Sequence, residues 1–515
     1  MKRFVKRLLT FFALCAIAIF TARLLFSLPD ITDRTDSIAL PAQPDTALGA
    51  LMHASETLHP GKSGVAQLLN NHDALASRLA LIKAAERSID AQYYIWHDDT
   101  SGILLLDALH KAAKRGVRVR LLLDDNGVPG LDSYMSALND QDNFEIRLFN
   151  PSTLRKPKLL GYTYDFFRMN RRMHNKSLTV DGAATIIGGR NIGDEYFQVG
   201  DDQFYIDLDV LATGAVVPET ANAFDDYWNS PSVFAVEAIV NGVSDIKAFE
   251  TRVTDVRNSI AAKDFLSGYQ DSTSEYIAGT STLEWTDVQL VIDDPSKGMG
   301  RATRDQLMIT RLGAILGRVN SRLDLVSAYF VPGKQGTEWL AGLSQSGIDV
   351  RVLTNAMDTT DVILVHSGYA KYRRELLETG TRLFELKLRG KAPEKDDKIL
   401  PFGLSGASLH AKTFAVDDKR IFIGSFNFDP RSAMLNCEMG FLIDSPSMAA
   451  KVSAGFDGSL TTVSYEPELT PENKMIWREP HNNGDVTIYQ EEPGASWFEQ
   501  IALVLIGLLP IEWLL

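Results

Sequence analysis

Met173-His174-Asn175-Lys176-Ser177-Leu178-Thr179-Val180-Asp181 and Leu409-His410-Ala411-Lys412-Thr413-Phe414-Ala415-Val416-Asp417 share one pattern, His-x-Lys-x4-Asp. The likeness runs on past the aspartates. A small pair follows each, Gly188-Gly189 and Gly424-Ser425, and an asparagine stands 17 residues beyond each histidine, at Asn191 and Asn427. One such histidine alone reads as a hydrogen-bonded core residue. Two in matched settings predict a single bipartite site built from two homologous halves.

The flanking sequence repeats in the same order. Residues 71–87 read as a helix, 88–96 as a buried strand, 103–115 as an amphipathic helix stopped by Gly116, and 117–123 as a second strand. In the second half 323–331 read as strand, 337–346 as helix, Gly347 as the stop and 348–353 as strand. Strand, helix, strand implies parallel pairing with a crossover helix. The long period indicates domain duplication rather than a solenoid. The expected fold is α/β, with two homologous domains, each a mixed, mostly parallel sheet flanked by helices. The expected boundaries are 1–28 for a membrane segment, 29–60 for a Pro- and Asp-rich linker, 61–230 for the first domain and 231–300 for a weakly periodic connection. The second domain is expected at 301–455 and a C-terminal region with an apolar end at 456–515.

A length of 515 residues with 45% hydrophobic and 23% charged content describes a folded protein of two or three domains. The net charge of −14 argues against a protein that coats nucleic acid, which needs a broad basic face. The two cysteines, Cys15 and Cys437, form neither a metal-ligand spacing nor a disulfide framework. The nine histidines show no zinc spacing, and no metal or cofactor is implied. The pairs Asp98-Asp99 and Asp124-Asp125 read as loop acids.

Lys2, Arg3, Lys6 and Arg7 precede an uncharged run over 8–22, which Arg23 interrupts and 24–28 continue. This is the composition of a signal peptide or an anchor, and the lack of a small-x-small cleavage site close behind favours the anchor. The positive-inside rule then leaves the N-terminus cytoplasmic and the body on the outer face of the inner membrane. The apolar stretch 501–515, with Pro510 and Glu512 inside it, is short for a span. It reads as a segment on the membrane interface or as one packed on the body.

His-x-Lys on a strand puts both side chains on one face. Two such strand ends facing each other would surround one phosphate with two imidazoles and two ammonium groups. That set cleaves a phosphodiester without a metal: one imidazole attacks phosphorus, and the other protonates the leaving alkoxide and then activates the acceptor. Lys176, Lys412, Asn191 and Asn427 are expected to hold the phosphoryl oxygens. Asp181 and Asp417 are expected to brace the turn after the strand, because a carboxylate beside a phosphodiester repels it.

Between Pro151 and Met173 lie Arg155, Lys156, Lys158, Arg168, Arg171 and Arg172 against a single acid, Asp165, together with Tyr162, Tyr164, Phe166 and Phe167. The stretch runs directly into His174. It reads as an interfacial lip, with aromatics in the headgroup zone and cations, Arg171 and Arg172 among them, toward anionic phospholipid. A second basic cluster, Lys371, Arg373 and Arg374, reads as the solvated face of a helix.

The paired motifs resemble those of the phospholipase D superfamily, whose members join two such halves across a pseudo-twofold axis. Tyr93-Tyr94-Ile95-Trp96, Gly188-Gly189-Arg190-Asn191-Ile192-Gly193-Asp194, Phe426-Asn427-Phe428-Asp429-Pro430-Arg431-Ser432 and Glu512-Trp513-Leu514-Leu515 are similar to the bacterial cardiolipin synthase C branch. The resemblance implies that His174 is the nucleophile and His410 the acid and base, a distinction the residues themselves leave open. It implies that Asp207 and Glu438, which precede apolar runs in the two halves, each hydrogen-bond the opposite histidine. It also implies phosphatidyl transfer onto phosphatidylglycerol from a second phospholipid, phosphatidylethanolamine or phosphatidylglycerol, at a bacterial membrane. Hydrolytic phospholipase D, a nuclease of the superfamily and a silent membrane scaffold are the alternatives.

Overall fold

Strands Ser88–Tyr93 and Arg322–Ser327 are the corresponding centres of two sheets, one from each half of the chain. In a computed structural model, residues 2–515 are described except 201–203, 241, 243, 269–271, 279–281, 361, 388–407, 482, 496–499, 501–506 and 508–511. On one side of each central strand lie the strand that follows a histidine motif and its hairpin partner. These are Ser177–Val180 with Ala184–Gly188, and Lys412–Val416 with Arg420–Gly424. On the other side run Arg118–Asp124 and Phe144–Phe149, matched by Asp349–Asn355 and Arg382–Leu386. The same order in both sheets makes the duplication explicit.

The sheets are mixed, but antiparallel pairing predominates. Parallel pairing is confined to the three strands that crossover helices connect in each lobe. The motif hairpins and the outer strands are antiparallel. The crossover signal in the sequence was strong and the hairpin signal was not, so a mostly parallel sheet was expected.

Helices Asn71–Ala84 and Thr100–Lys114 cover one face of the first sheet, with Leu75, Leu104 and Leu109 in its core. The inner faces of the two sheets share a cluster holding Ile187 and Val210 from the first and Ile423 and Phe441 from the second. Burial of each such side chain contributes about 1.5–3 kcal/mol, so this layer fixes how the halves meet.

Three regions outside the expected domains are structured. Residues 29–60 are docked rather than a free linker: the Arg34 guanidinium donates to the carbonyls of Asn229, Ser230 and Val233, and Ala47–Leu58 is a helix capped by Thr46. The connection holds helices Ile246–Asn258, Ile260–Gly268 and Ser272–Ile277. The first of them buries only Phe249, Val253 and Val256, which explains the faint periodicity. Strands Ser464–Leu469, Met475–Pro480 and Val486–Tyr489 extend the second sheet, so the C-terminal region belongs to that lobe.

The N-terminal helix Lys2–Leu25 buries none of its residues. Its 24 residues reach about 36 Å, enough for a hydrocarbon core of about 30 Å. Its C-terminal end rests on the lip: Arg23 Nε donates to the Tyr164 carbonyl at 2.6 Å, and Phe26 stacks on Tyr164 with centroids 5.7 Å apart. Most of the apolar stretch 501–515 lies outside the described residues. Its end is described: Glu512 accepts from Lys371 and Tyr372, and Trp513 meets Phe166 with centroids 6.4 Å apart.

Candidate active site

Each histidine is carried to the seam by backbone pairing with the opposite lobe. His174 N–H donates to the Cys437 carbonyl at 2.8 Å, and Cys437 N–H to the Arg172 carbonyl at 2.8 Å. His410 N–H donates to the Ile206 carbonyl at 2.8 Å, and Ser408 N–H to that of Phe204 at 3.2 Å. The residues following these cross-lobe acceptors are Glu438 and Asp207. Both histidines therefore precede the regular strands rather than lie within them, and the alternation still turns histidine and lysine the same way. Lys176 Nζ donates to the His174 carbonyl at 2.5 Å, and Lys412 Nζ to that of His410.

Asp181 and Asp417 sit at the far ends of the motif strands. They hold positive φ angles of 51° and 56°. Asp181 accepts from the backbone N–H groups of Glu86, Arg87 and Ser88, and Asp417 from those of Asn320, Ser321 and Arg322. These carboxylates fasten the motif hairpin to the neighbouring strand and do not enter the site.

His174 Nδ1 lies 2.8 Å from Glu438 Oε2, and His410 Nδ1 lies 2.5 Å from Asp207 Oδ2. Each contact crosses the seam. With Nδ1–H donating to the carboxylate, Nε2 of each ring is left for a ligand. Burial pushes the His174 imidazole well below its ordinary value, and the charges of Lys176, Lys412 and His410 add to this. Burial and Lys412 also lower His410, against the pull of Asp207. Burial raises the Glu438 carboxyl despite Lys176. Burial works on Asp207 too, but His410, Lys412 and Arg190 outweigh it and hold that carboxyl below its ordinary range. The two halves are thus electrostatically unequal. Burial brings the Lys176 ammonium down to about 7.

The small pairs differ for a steric reason. A Cβ on Gly189 would stand 2.1 Å from Asp207 Oδ1. At the corresponding place in the second half, the Ser425 hydroxyl donates to Glu438 Oε2.

The asparagines are not equivalent. Asn191 Oδ1 accepts from Ile95 N–H and its Nδ2 donates to the Tyr196 hydroxyl, so both ends of that amide brace the framework. Asn427 Oδ1 is buried with no hydrogen-bond partner among the described residues, which leaves that amide to a ligand. Arg172 is no substrate contact: its fully buried guanidinium pairs with Asp124 at 2.7 Å and donates to the carbonyls of Phe149, Asn150 and Met169. Arg171 is half-buried at the seam, where Nη1 donates to the Met434 carbonyl at 3.1 Å.

Three other lip cations are also engaged within the fold, whereas Lys156 is exposed. Arg155 pairs with Asp125 and Asp132, Lys158 with Asp125, and Arg168 with Asp165. Their acids lie mostly outside the 151–173 stretch, so the sequence made them look uncompensated. Large apolar side chains are exposed on the lip beside Lys156: Leu159, Leu160 and Phe167 are 75%, 50% and 70% exposed. Arg373, expected on a solvated face, is buried between Glu385 and Glu492.

Aromatic rings line the site where sequence reasoning assigned none. Tyr94 stands edge-on to His174 at 5.0 Å, and Tyr196 and Tyr205 lie 5.1 and 5.2 Å from His410. Tyr94 and Tyr205 come from strand ends and Tyr196 from the one-turn helix Asp194–Phe197, segments too short to carry a periodic signal. Tertiary contact also assembles His97, Asp99 and Glu195, which bring one ligand atom each within 4.8 Å of one another. His97 Nδ1 is 3.2 Å from Glu195 Oε1, and Asp99 caps Thr100–Lys114, so this group has a structural role.

Residues 79–228 and 313–460 match the family described as cardiolipin synthase, PLD-like domain. The chain is 43% identical to cardiolipin synthase C of Escherichia coli (strain K12) over 461 residues, 89% of this chain and 97% of that protein. It is 25% identical to a cardiolipin synthase of Listeria welshimeri over 413 residues, 79% of this chain and 71% of that protein. Among solved structures, the phosphatidylserine synthase of Haemophilus influenzae Rd KW20 shares the fold, with a TM-score of 0.55 at 14% identity over 88% of this chain and 96% of that one. Two matched segments on two homologous lobes, and an alignment spanning nearly all of a curated relative, are sufficient: the chain belongs to the phospholipase D superfamily, in its cardiolipin synthase branch.

Proposed function

We propose that this chain is a membrane-associated phosphatidyltransferase that makes cardiolipin from phosphatidylglycerol and a second phospholipid, through a phosphohistidine on His174. One observation carries the reading: two buried imidazoles, one from each lobe, are each oriented by a carboxylate of the other lobe around a common site. The close likeness to the E. coli protein supports the choice of product.

The unequal electrostatics support these roles. His174 is the imidazole held neutral, as a nucleophile requires, and His410 has the ionised carboxylate that supports an imidazolium. Nε2 of His174 attacks the donor phosphorus. An N–P bond forms, the P–O bond to the headgroup alcohol breaks, and His410 gives its Nε2 proton to the departing alkoxide. Neutral His410 then takes the proton of a phosphatidylglycerol hydroxyl. That oxygen attacks phosphorus, and the N–P bond breaks to release His174. The arriving phosphodiester supplies the negative charge that keeps Lys176 protonated against its burial.

The second reading is hydrolysis, in which water replaces the lipid alcohol. The near-complete burial of His174, Lys176, His410 and Lys412 favours transfer, since it restricts water. The helix Lys2–Leu25, docked on the lip, serves as the anchor, with the body on the outer face of the inner membrane. The deciding experiment gives the full-length protein labelled phosphatidylglycerol, with and without phosphatidylethanolamine, and identifies products by mass spectrometry. Cardiolipin is expected. Phosphatidic acid alone would replace this reading with hydrolysis, and cleavage of DNA but not lipid would replace it with a nuclease.

A further inference from the structure

The duplicated lobes differ where their first two helices meet. In the first lobe, Asn71–Ala84 and Thr100–Lys114 pack against each other and are covered by Ser272–Ile277 and Ile246–Asn258. In the second, the counterparts are the shorter Met308–Leu316 and Gly333–Gln345. These two stand apart, and a cavity of about 580 Å³ opens between them. Its floor is Leu323, Leu325 and Phe414 from the sheet, and its walls include Leu312, Trp339 and Phe428. Protein interiors are otherwise close-packed, and an apolar void forfeits the contacts its lining would make. Such voids stay dry and take apolar ligands.

The position of the cavity points to its occupant. Phe426 and Phe428, which line it, flank Asn427, whose buried carbonyl oxygen lacks a partner among the described residues. One rim is the short helix Pro430–Met434, and its Met434 is 56% exposed and accepts from Arg171, three residues before His174. That helix packs on Glu512–Leu514, and Trp513 reaches Phe166 of the lip. The lip, the tail end and the mouth of the cavity are therefore neighbours, with Trp513 and Met434 between them. The volume lies within the range of about 300–1,000 Å³ that ligand pockets occupy, and the lining is mostly hydrocarbon, with Lys334, Gln335 and Asp429 as its charged and amide side chains, which fits an aliphatic chain better than a headgroup.

We propose that this cavity holds one fatty acyl chain of the phospholipid whose phosphate lies between His174 and His410. The proposal rests on the phospholipid reading above and locates the tail of that substrate. The test uses phosphatidylglycerol with a diazirine at the end of one acyl chain. Full-length protein in vesicles of this lipid is irradiated, the labelled peptides are mapped by mass spectrometry, and cardiolipin formation is followed in the same vesicles.

Label is expected within 309–317, 333–339 and 426–434. A Cβ at Gly313 meets nothing within 4 Å, so Gly313→Leu places its side chain in the void without a clash. This variant should lose about tenfold of the cavity label, the change that 1.4 kcal/mol of lost binding gives, while label at the lip, 158–169, persists. Label confined to 2–25 and 158–169 in the unsubstituted protein, or a folded Gly313→Leu labelled as strongly as the parent, would overturn the proposal. The unsubstituted map decides even if the variant does not fold. Cardiolipin formed without cavity label sinks the acyl site alone, whereas cavity label without cardiolipin sinks the synthase reading and keeps the site.

Discussion

His410 and Asp207 meet at 2.5 Å across the seam, so the imidazole proposed as acid and base in one lobe is oriented by a carboxylate of the other. Asp207 is held below its ordinary range, against the effect of burial, chiefly by the charge and hydrogen bond of His410. The first chemical step needs His410 protonated, so the rate falls as pH rises through the His410 pKa. Asp207→Asn removes the charge that favours the imidazolium, and the basic limb of the pH–rate profile is expected to move to lower pH. An unchanged basic limb, measured as kcat against pH on mixed vesicles, would separate Asp207 from the proton-transfer step.

His174→Ala and His410→Ala should each lower turnover on the order of 10³-fold or more, because the two rings act as a unit. Intact mass after a quench in neutral denaturant, which spares the acid-labile N–P bond, tells them apart. His174→Ala should carry no phosphatidyl adduct. His410→Ala should accumulate one when the donor headgroup is a good leaving group, since attack still proceeds and transfer of the phosphatidyl group from His174 to the acceptor lacks its base. An adduct on His174→Ala would move the nucleophile elsewhere.

Asp417 is expected to matter for folding and not for chemistry. Its backbone hydrogen bonds from Ser321 and Arg322 overcome desolvation and lower its pKa to about 2. A carboxyl with a depressed folded-state pKa contributes stability that is fully present above its unfolded value of about 3.9. That contribution is lost as pH falls through the folded value of about 2. Asp417→Ala should cost about 1–3 kcal/mol at pH 7, with less difference from the parent near pH 2, by thermal or urea unfolding. The folded fraction of the variant should keep its kcat.

Much of this was legible in the sequence because the chemistry repeats. A matched His-Lys-Asp-Asn set fixes two lobes and one site even where each copy alone would be ambiguous. The strands 88–93 and 322–327 announce themselves by alternation, with Ile89, Ala91 and Tyr93 around Asp90 and Gln92 in the first and Leu323 and Leu325 around Asp324 in the second. What stayed hidden depends on partners distant in the chain. Arg172 looked like a substrate cation because its acid, Asp124, lies 48 residues away, and Arg373 looked solvated because Glu492 lies 119 away. Tyr196 and Tyr205 reach His410 only once the lobes have closed. The hairpin after each motif escaped the expected sheet type because a short buried strand reads the same in parallel and antiparallel pairing.

The lip predicts an interface-specific defect. Phe167 is 70% exposed beside the docked end of the N-terminal helix, and the neighbouring cations are already paired within the fold. Phe167→Ser should therefore lower the rate on bilayer vesicles and leave the rate on short-chain, dispersed phosphatidylglycerol unchanged. Equal losses on both substrates would show that Phe167 supports the site and not the contact with lipid.

Gly189 tests the asymmetry of the two halves. The second lobe carries Ser425 at this place, and its hydroxyl steadies Glu438. Symmetry of sequence would allow the same side chain in the first lobe, but a Cβ there would come within 2.1 Å of the Asp207 carboxylate. Asp207 is buried and its Oδ1 already accepts from Leu208 N–H at 2.8 Å, so it can yield only by turning away from His410. Gly189→Ala is therefore expected to reproduce the Asp207→Asn phenotype, with a lower kcat and a basic limb displaced to lower pH, while the thermal unfolding midpoint changes little. A normal pH profile in a folded Gly189→Ala protein would mean that Asp207 has room to retreat without releasing the imidazole.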